Sequence, residues 1–517
     1  MTIAQDHDPF LAAAATATSA DGRPHAIVIG AGFGGLAAAC RLGARGYRVT
    51  IVEALEQVGG RASVFKQDGY TFDAGPTIIT APFVFEELWQ LFGEDMHDHI
   101  DLKALEPYYA VRFGDGQTFR CWSDPDKMRK EIAAFEPSDV AGYDDYLVES
   151  EKCFQTGFVG MIDKPFHTLG RMAAAMPGLI ARRADRSVHA LVGKFIKNKR
   201  LQQALDFHPL FIGGNPMRAS GVLSLIAYLE RHWGVHYAMG GTGALVRGIA
   251  DLLERHGHTI LLNAPVDEIT VEEGRATGVA LTNGITIPAD VVVSNADTGF
   301  TYTKLLRNHP RKRWTDRKVK RMAYSMSLFV WYFGTDKRWE DVDHHTILMG
   351  PRYEGLLKDI FDKKVLADDF SLYLYRPSAS DPSVAPEGCD AFYVLSPVPN
   401  LKGDVDWDDV TERYRQRIAD ALDASVLPGL NDAIVTSKVV TPHYFKDRLS
   451  STNGNAFGME PLLWQLAWFR PHNVSEEIKD LYIVGAGTHP GAGLPGVVSS
   501  AKILDKLVPD GATVKAR

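Results

Sequence analysis

Four glycines fall within six consecutive residues, Gly30-Ala31-Gly32-Phe33-Gly34-Gly35, and a carboxylate, Glu53, follows 23 residues after Gly30. Glycines at this spacing let a tight turn bring backbone N–H groups close to an anion, and an acid at that distance can accept hydrogen bonds from ribose hydroxyls. Gly30 suits the turn, Gly32 the close approach of a pyrophosphate, and Gly35 the packing of helix on strand. A carboxylate at position 53 disfavours a 2′-phosphate, which leaves FAD or NAD as the dinucleotide. The flanking sequence supplies the elements such a site needs. Ala26 to Ile29 is an apolar run of the kind that forms a buried parallel strand, an Ala/Leu-rich helix follows the glycines, and Arg48 to Val52 reads as a second strand ending at Glu53. This is a complete βαβ dinucleotide-binding unit.

Glu53 is followed by Ala54-Leu55-Glu56-Gln57-Val58-Gly59-Gly60-Arg61. The Gly59-Gly60-Arg61 element resembles that of the two-dinucleotide-binding-domain flavoproteins, the amine-oxidase-like FAD enzymes. A glycine pair beside a guanidinium suits a second contact to a diphosphate, with arginine as a bidentate partner. Near the other end of the chain, the strand Asp480 to Val484 runs into Gly485-Ala486-Gly487-Thr488-His489-Pro490-Gly491-Ala492-Gly493-Leu494-Pro495-Gly496-Val497, and a helix follows. Gly485 and Gly487 would cradle the ribityl and ring end of a flavin. Pro495 opens the next helix, and the N–H groups at its start, Gly496 and Val497, would donate to the flavin pyrimidine oxygens. Val266, which opens a strand in the returning half of the cofactor region, is counted with these residues. A NAD dehydrogenase has no use for the second loop.

Residues 481–501 resemble the C-terminal signature of the bacterial and fungal type carotenoid desaturases, the phytoene desaturases. Gly69 to Thr77, Phe211 to Pro216 and Trp233 to Val246 are similar to the same family, and the likeness runs from about residue 25 to 505. Asp480 departs from the Gly or Asn common there. The resemblance implies FAD as cofactor and a C40 isoprenoid hydrocarbon, 15-cis-phytoene, as substrate, desaturated in successive rounds to neurosporene or lycopene. Family frequency leans to lycopene. It also implies quinone or oxygen as electron acceptor. Such a substrate offers nothing to hydrogen-bond, so its site must be a long apolar tunnel. No catalytic base is nominated. His208, His232 and His236 lie near family-like motifs and read as structural. Other expectations stay open: another carotenoid-acting flavoprotein (a hydroxy- or methoxy-neurosporene desaturase, a C30 desaturase or a ketolase), a flavin amine oxidase, or a non-enzymatic prenyl-protein escort module.

The composition suits a large multidomain protein: 517 residues, 45% hydrophobic and 23% charged, net charge −8,. An acidic balance disfavours nucleic acid as a partner. Cys40, Cys121, Cys153 and Cys389 form no metal-ligand spacing, so no metal is expected, and none lies near the C-terminal loop where a thioether to flavin would form,. The FAD is therefore expected to be non-covalent. No stretch reaches the roughly 18 apolar residues needed to span a bilayer.

The expected fold class is α/β, a Rossmann-like FAD-binding domain interleaved with a substrate region of mixed sheet and helices. Residues 1–23 read as a disordered leader, and 24–80, 236–299 and 471–517 as the FAD-binding domain. Residues 81–235 read as a helical, membrane-facing substrate region, and 300–470 as a substrate-binding sheet. Met326 to Phe333 suits a strand with one covered face, either core packing or a tunnel wall. Residues 164–200 carry nine basic side chains (Lys164, Arg171, Arg182, Arg183, Arg186, Lys194, Lys197, Lys199, Arg200) against one acid, Asp185, around an apolar run from Met172 to Ile180. This suits peripheral docking on an anionic membrane, and with it a cytoplasmic protein held on the inner face.

Overall fold

The computed structural model describes residues 22–514, so the expected leader lies outside the described residues up to position 21. A five-stranded parallel sheet takes its strands in the order Leu481–Ile483, Val291–Ser294, His25–Ile29, Arg48–Val52 and Thr259–Leu261. These strands come from three distant stretches of chain. They are short runs of Val, Ile and Leu, nearly all buried, as a sheet covered on both faces requires,. Helix Phe33–Ala44 lies on one face, its residues from Phe33 to Leu42 all buried. Small alanines let it approach the strands closely, and helix Leu494–Lys502 packs beside it. A three-stranded antiparallel sheet, Val266–Glu272, Arg275–Leu281 and Thr286–Pro288, covers the other face.

The second large sheet has seven strands in the order Ile434–Val440, Ser327–Thr335, Asp390–Val398, Leu372–Tyr375, His345–Leu348, Tyr109–Arg112 and Thr118–Cys121. Its last two strands come from within residues 81–235, the stretch expected to be helical. They join it through a parallel pairing of Tyr109–Arg112 with His345–Leu348. The remainder of 81–235 is mostly helix, including Val140–Phe154, Leu169–Ala181 and Leu225–Trp233.

Strand Ser327–Thr335 is buried at every position rather than on one face. Phe329, Trp331 and Phe333 belong to the core under helix Trp407–Asp423, where Phe329 meets Tyr414 edge-on at 5.0 Å. Leu328, Val330 and Tyr332 face the opposite way, onto a cavity between the two sheets. Core packing and cavity wall are thus the two faces of one strand. The apolar-only sequence hides this, because a strand covered on both sides shows no polar alternation.

Candidate cofactor and substrate cavity

A cavity of about 630 Å³ runs from the carboxyl ends of the parallel strands to the inner face of the seven-stranded sheet. At the first end the backbone is shaped by glycine. Gly30 holds φ at +93°, which L side chains rarely adopt,. A methyl group on Gly35 would overlap the Gly30 carbonyl oxygen, so this glycine sets the helix-to-strand distance and does not itself face the cavity. Gly30, Gly32 and Gly34 do face it, as do Gly59, Gly60 and Arg61 opposite. Gly32 and Gly59 are bridged as adjacent strand residues would be, with the Gly59 N–H donating to the Ala31 carbonyl at 2.9 Å. Helix Phe33–Ala44 starts at Gly32 with no side-chain cap, and its uncapped N–H groups leave a site for negative charge at the cavity,.

Glu53 is buried on the same wall. Its carboxylate accepts from the Ala31 N–H at 2.6 Å and the Leu55 N–H at 3.0 Å. Burial raises its pKa above the usual carboxylate range, against the opposing pull of these amides,. Arg61 is the unsatisfied group of this end. One Nη donates to Ser451 Oγ at 3.1 Å, its Nε has no partner, and it makes no ion pair among the described residues. Burial lowers its pKa, and the Asp297 charge acts in the opposite sense. A guanidinium and an uncapped helix start converging on one space fit a diphosphate.

At the C-terminal loop, Gly485 has φ +92° and its N–H donates to Ser500 Oγ at 2.8 Å. Gly485, Pro495, Gly496 and Val497 line the cavity, and so does Val266. Gly487 does not. Its Cα abuts Thr298, whose hydroxyl a methyl group would overlap, so it is a packing glycine like Gly35. Helix Leu494–Lys502 is also uncapped by any side chain. Arg470, 1% exposed, braces the loop by donating to the carbonyls of Pro490 at 3.2 Å and Met459 at 2.7 Å. Among the described residues it makes no ion pair, and burial lowers its pKa to about 10. His489 is kept neutral, burial lowering its pKa to about 4, and its Nε2 lies 2.8 Å from the Met161 carbonyl.

Beyond the loop the wall turns apolar, with Leu210, Ile226, Leu328, Val330, Leu356 and Leu395 among its residues. Polar groups there are tied down. Thr77 Oγ1 lies 2.8 Å from the Tyr373 hydroxyl, which lies 2.7 Å from His345 Nδ1. The exception in character is Glu230. Helix Leu225–Trp233 turns Ile226, Leu229 and Glu230 toward the cavity. The carboxylate is held by the Tyr109 hydroxyl at 2.8 Å and by His208 Nε2 at 3.0 Å. Burial disfavours charge on His208, but the facing Glu230 outweighs it and leaves the imidazole pKa above its ordinary value,. Of the three histidines read as structural, His208 alone supports a cavity group. His232 stacks on Tyr228, and His236 pairs within a strand. Sequence reasoning missed Glu230. Its signal was an acid spaced with Ile226 on the inner face of an amphipathic helix.

The cavity is also lined by Met172 and Leu179 of helix Leu169–Ala181 and by Leu463, Leu466 and Ala467. On the outside of these same segments Leu169, Ile180 and Trp464 are 66%, 62% and 65% exposed. The basic stretch around this helix is partly neutralised: Arg182 pairs with Glu149, Arg183 with Asp185, Arg200 with Asp115 and Lys164 with Asp163. Among the described residues no helix is long and apolar enough to cross a membrane.

The fold matches solved flavoenzymes. A putrescine oxidase triple mutant aligns over 94% of this chain and 98% of its own with a TM-score of 0.63 at 13% identity. Cyclohexylamine oxidase from Brevibacterium oxydans aligns over 94% and 100% with a TM-score of 0.58 at 16% identity. Residues 33–503 match the family of flavin containing amine oxidoreductases, and the chain belongs to that family. The chain is 49% identical to a neurosporene-forming phytoene desaturase from Cereibacter sphaeroides, over 94% of both chains. It is 46% identical to another from Rhodobacter capsulatus, over 95% of both. A lycopene-forming phytoene desaturase from a Paracoccus species is 46% identical over 92% of this chain and 95% of its own. Within the flavin family, the chain belongs with the bacterial carotenoid desaturases.

Proposed function

We propose that the protein desaturates 15-cis-phytoene in successive rounds, with a non-covalent FAD in the cavity. The observation that carries this reading is the cavity's two-part character. One end offers an unpaired guanidinium, an uncapped helix start and a cavity-lining carboxylate, and the other is an apolar wall continuous with it. The residues fit the cofactor. Arg61 and the N–H groups after Gly32 would hold the diphosphate, Glu53 the adenosine ribose, and the loop from Gly485 to Val497 the flavin ring. FAD supplies the hydride acceptor for the allylic C–H bond.

The chain's own part is burial, orientation and charge. At roughly 25 cal/mol per Å² the apolar wall can hold a hydrocarbon without a polar anchor. Removing hydride leaves positive charge on the polyene, and the Glu230 carboxylate puts negative charge on the wall beside it. An Oε of Glu230 can take the proton shed from the neighbouring carbon, while His208 and Tyr109 fix the carboxylate's direction. Five relatives named for phytoene are 43–49% identical, and a zeta-carotene-forming one is 33% identical. Two named for the C30 diapophytoene are 36% and 32% identical, which favours the longer substrate.

The exposed apolar outer face of helix Leu169–Ala181, beside the cavity wall, supports a cytoplasmic protein held peripherally on the inner membrane face, where a lipid-dissolved substrate can enter. Quinone from that membrane, or oxygen, would take the electrons. Anaerobic incubation of flavin-loaded protein with phytoene in liposomes tests the reading. Flavin bleaching with growth of a visible polyene spectrum is expected, and the band positions count the rounds as neurosporene or lycopene. Flavin that stays oxidised would sink the substrate assignment.

A further inference from the structure

The residues from Arg307 to Arg321 include eight basic side chains (Arg307, Arg311, Lys312, Arg313, Arg317, Lys318, Lys320, Arg321) and one acid, Asp316. Asp316 is taken by Arg311, and Arg313 faces Glu476. Among the described residues Arg317, Lys318, Lys320 and Arg321 form no ion pair. Arg307 is paired with Asp267, so the unpaired cations gather at the C-terminal end of this stretch. Lys318 Nζ sits 3.7 Å from the centre of the Trp314 ring, and Lys318 lines a groove.

That groove is walled by Arg317, Lys318 and Arg321 on one side and by Trp464 and Phe469 on the other. Trp464 is 65% and Phe469 42% exposed. Large aromatics left in solvent beside guanidinium groups have the make-up of a membrane interface: rings at headgroup level, cations on phosphate. The neighbours extend the pattern. Leu463 packs on the small core beneath helix Leu169–Ala181, and the segment Ala467–Phe469 touches that helix directly. The cationic groove, the exposed rings and the apolar helix thus form one continuous face around residues that also line the cavity.

We propose that this groove binds the phosphate headgroup of an anionic phospholipid, with Arg317 and Arg321 as the phosphate ligands and Trp464 inserted beside the glycerol. It rests on the membrane-docked reading of the protein and assigns where the charge contact is made. Arginine suits phosphate because its fork donates two parallel hydrogen bonds, and the exposed rings fit a lipid surface where a free phosphate would leave them in water.

The test is cosedimentation of the full flavin-loaded chain with vesicles of phosphatidylcholine alone or mixed with phosphatidylglycerol, reading bound flavin absorbance. Wild type should prefer the anionic vesicles. R317E/R321E should lower anionic-vesicle partitioning by roughly tenfold or more, the loss expected from removing several surface cations. R317Q/R321Q should give a smaller loss, and R182E/R183E should leave the preference standing. W464A should weaken binding to both vesicle types. Full anionic preference in R317E/R321E and R317Q/R321Q, each retaining its flavin, would overturn the groove while leaving membrane docking intact. Wild type that binds neither vesicle would overturn docking itself.

Discussion

Glu230, on the wall at the apolar end of the cavity, meets His208 at 3.0 Å, with the Tyr109 hydroxyl closing the other carboxylate oxygen at 2.8 Å. A buried charge pair is a poor way to gain stability, because desolvation offsets the attraction. Its place beside a hydrocarbon site suggests a chemical use. Glu230→Gln keeps size and one hydrogen-bond acceptor but removes the charge and the proton acceptor. Flavin content should be unchanged, and the rate at which the polyene forms from phytoene should fall about a hundredfold or more, the lower end of what positioned proton transfer contributes. Rapid-mixing absorbance under anaerobic conditions measures this. A rate within twofold of wild type would remove Glu230 from the chemistry.

Gly35 predicts a different failure. A methyl group there meets the Gly30 carbonyl oxygen, which is backbone and cannot rotate away. Gly35→Ala must push the helix off the sheet and so disturb the turn at Gly30. Overpacking of this kind costs about 1–3 kcal/mol or more. The expected result is a lower melting temperature together with flavin lost on gel filtration. Gly487→Ala, which overlaps the Thr298 hydroxyl, should lower stability by the same mechanism, although Gly487 lies off the cavity wall.

These two glycines show how far the sequence could be read. Spacing identified Gly30, Gly32, Gly35 and Glu53 because a turn, a helix start and an acid have fixed separations along one βαβ unit. It set Gly35 apart for packing, because that role has a fixed place in a βαβ unit, but it had no such template for the C-terminal loop. Gly487 was expected beside the flavin and packs on Thr298, a contact across 189 positions that no local pattern records. The parallel sheet was legible for its buried apolar runs. The seven-stranded sheet was half legible, since strands Tyr109–Arg112 and Thr118–Cys121 are short and enter it by a long-range pairing. Arg470 and Glu230 were invisible because their meaning lies in the absence of a counter-ion and in the presence of a cavity.

The pH dependence of stability should follow chiefly from buried histidines. Burial lowers the pKa of His25, His258 and His489 to about 4, with nearby Arg48 and Arg23 adding to the effect at the first two. Each is neutral when folded but binds a proton near pH 6.5 when unfolded. Stability is therefore full above about pH 6.5 and is lost as pH falls toward 4, on the order of 3 kcal/mol per histidine. Asp73 runs the other way. Burial raises its pKa to about 6, so its contribution declines as pH rises from the unfolded carboxylate value toward 6. His344, whose pKa burial lowers to about 3, and His345 act with the first three histidines. So do Glu87 and Glu476, held low by their basic partners, against the raised Glu53, Asp206 and Glu460. The balance is a net loss on acidification. Melting temperatures measured from pH 7.5 to 4.5 should drop steeply below 6.5. A flat profile would contradict the buried neutral histidines.

Arg61 should separate the cost of the empty protein from the gain on binding. Its guanidinium is buried with one neutral partner, Ser451 Oγ, and an unpartnered Nε. Without an anion, such a group destabilises the fold, and with a diphosphate it is satisfied. Arg61→Met should therefore leave the flavin-free protein as stable as wild type or more so. At the same time it should weaken FAD binding by about tenfold to a hundredfold, the loss expected for one charge-assisted contact. Arg61→Lys keeps the charge but not the fork, and should fall between the two. Paired thermal melts of flavin-free and flavin-loaded protein give both numbers, because ligand stabilisation reports affinity directly. If Arg61→Met lowers both melts equally, the residue is a packing element, and the diphosphate must be held by the helix start alone.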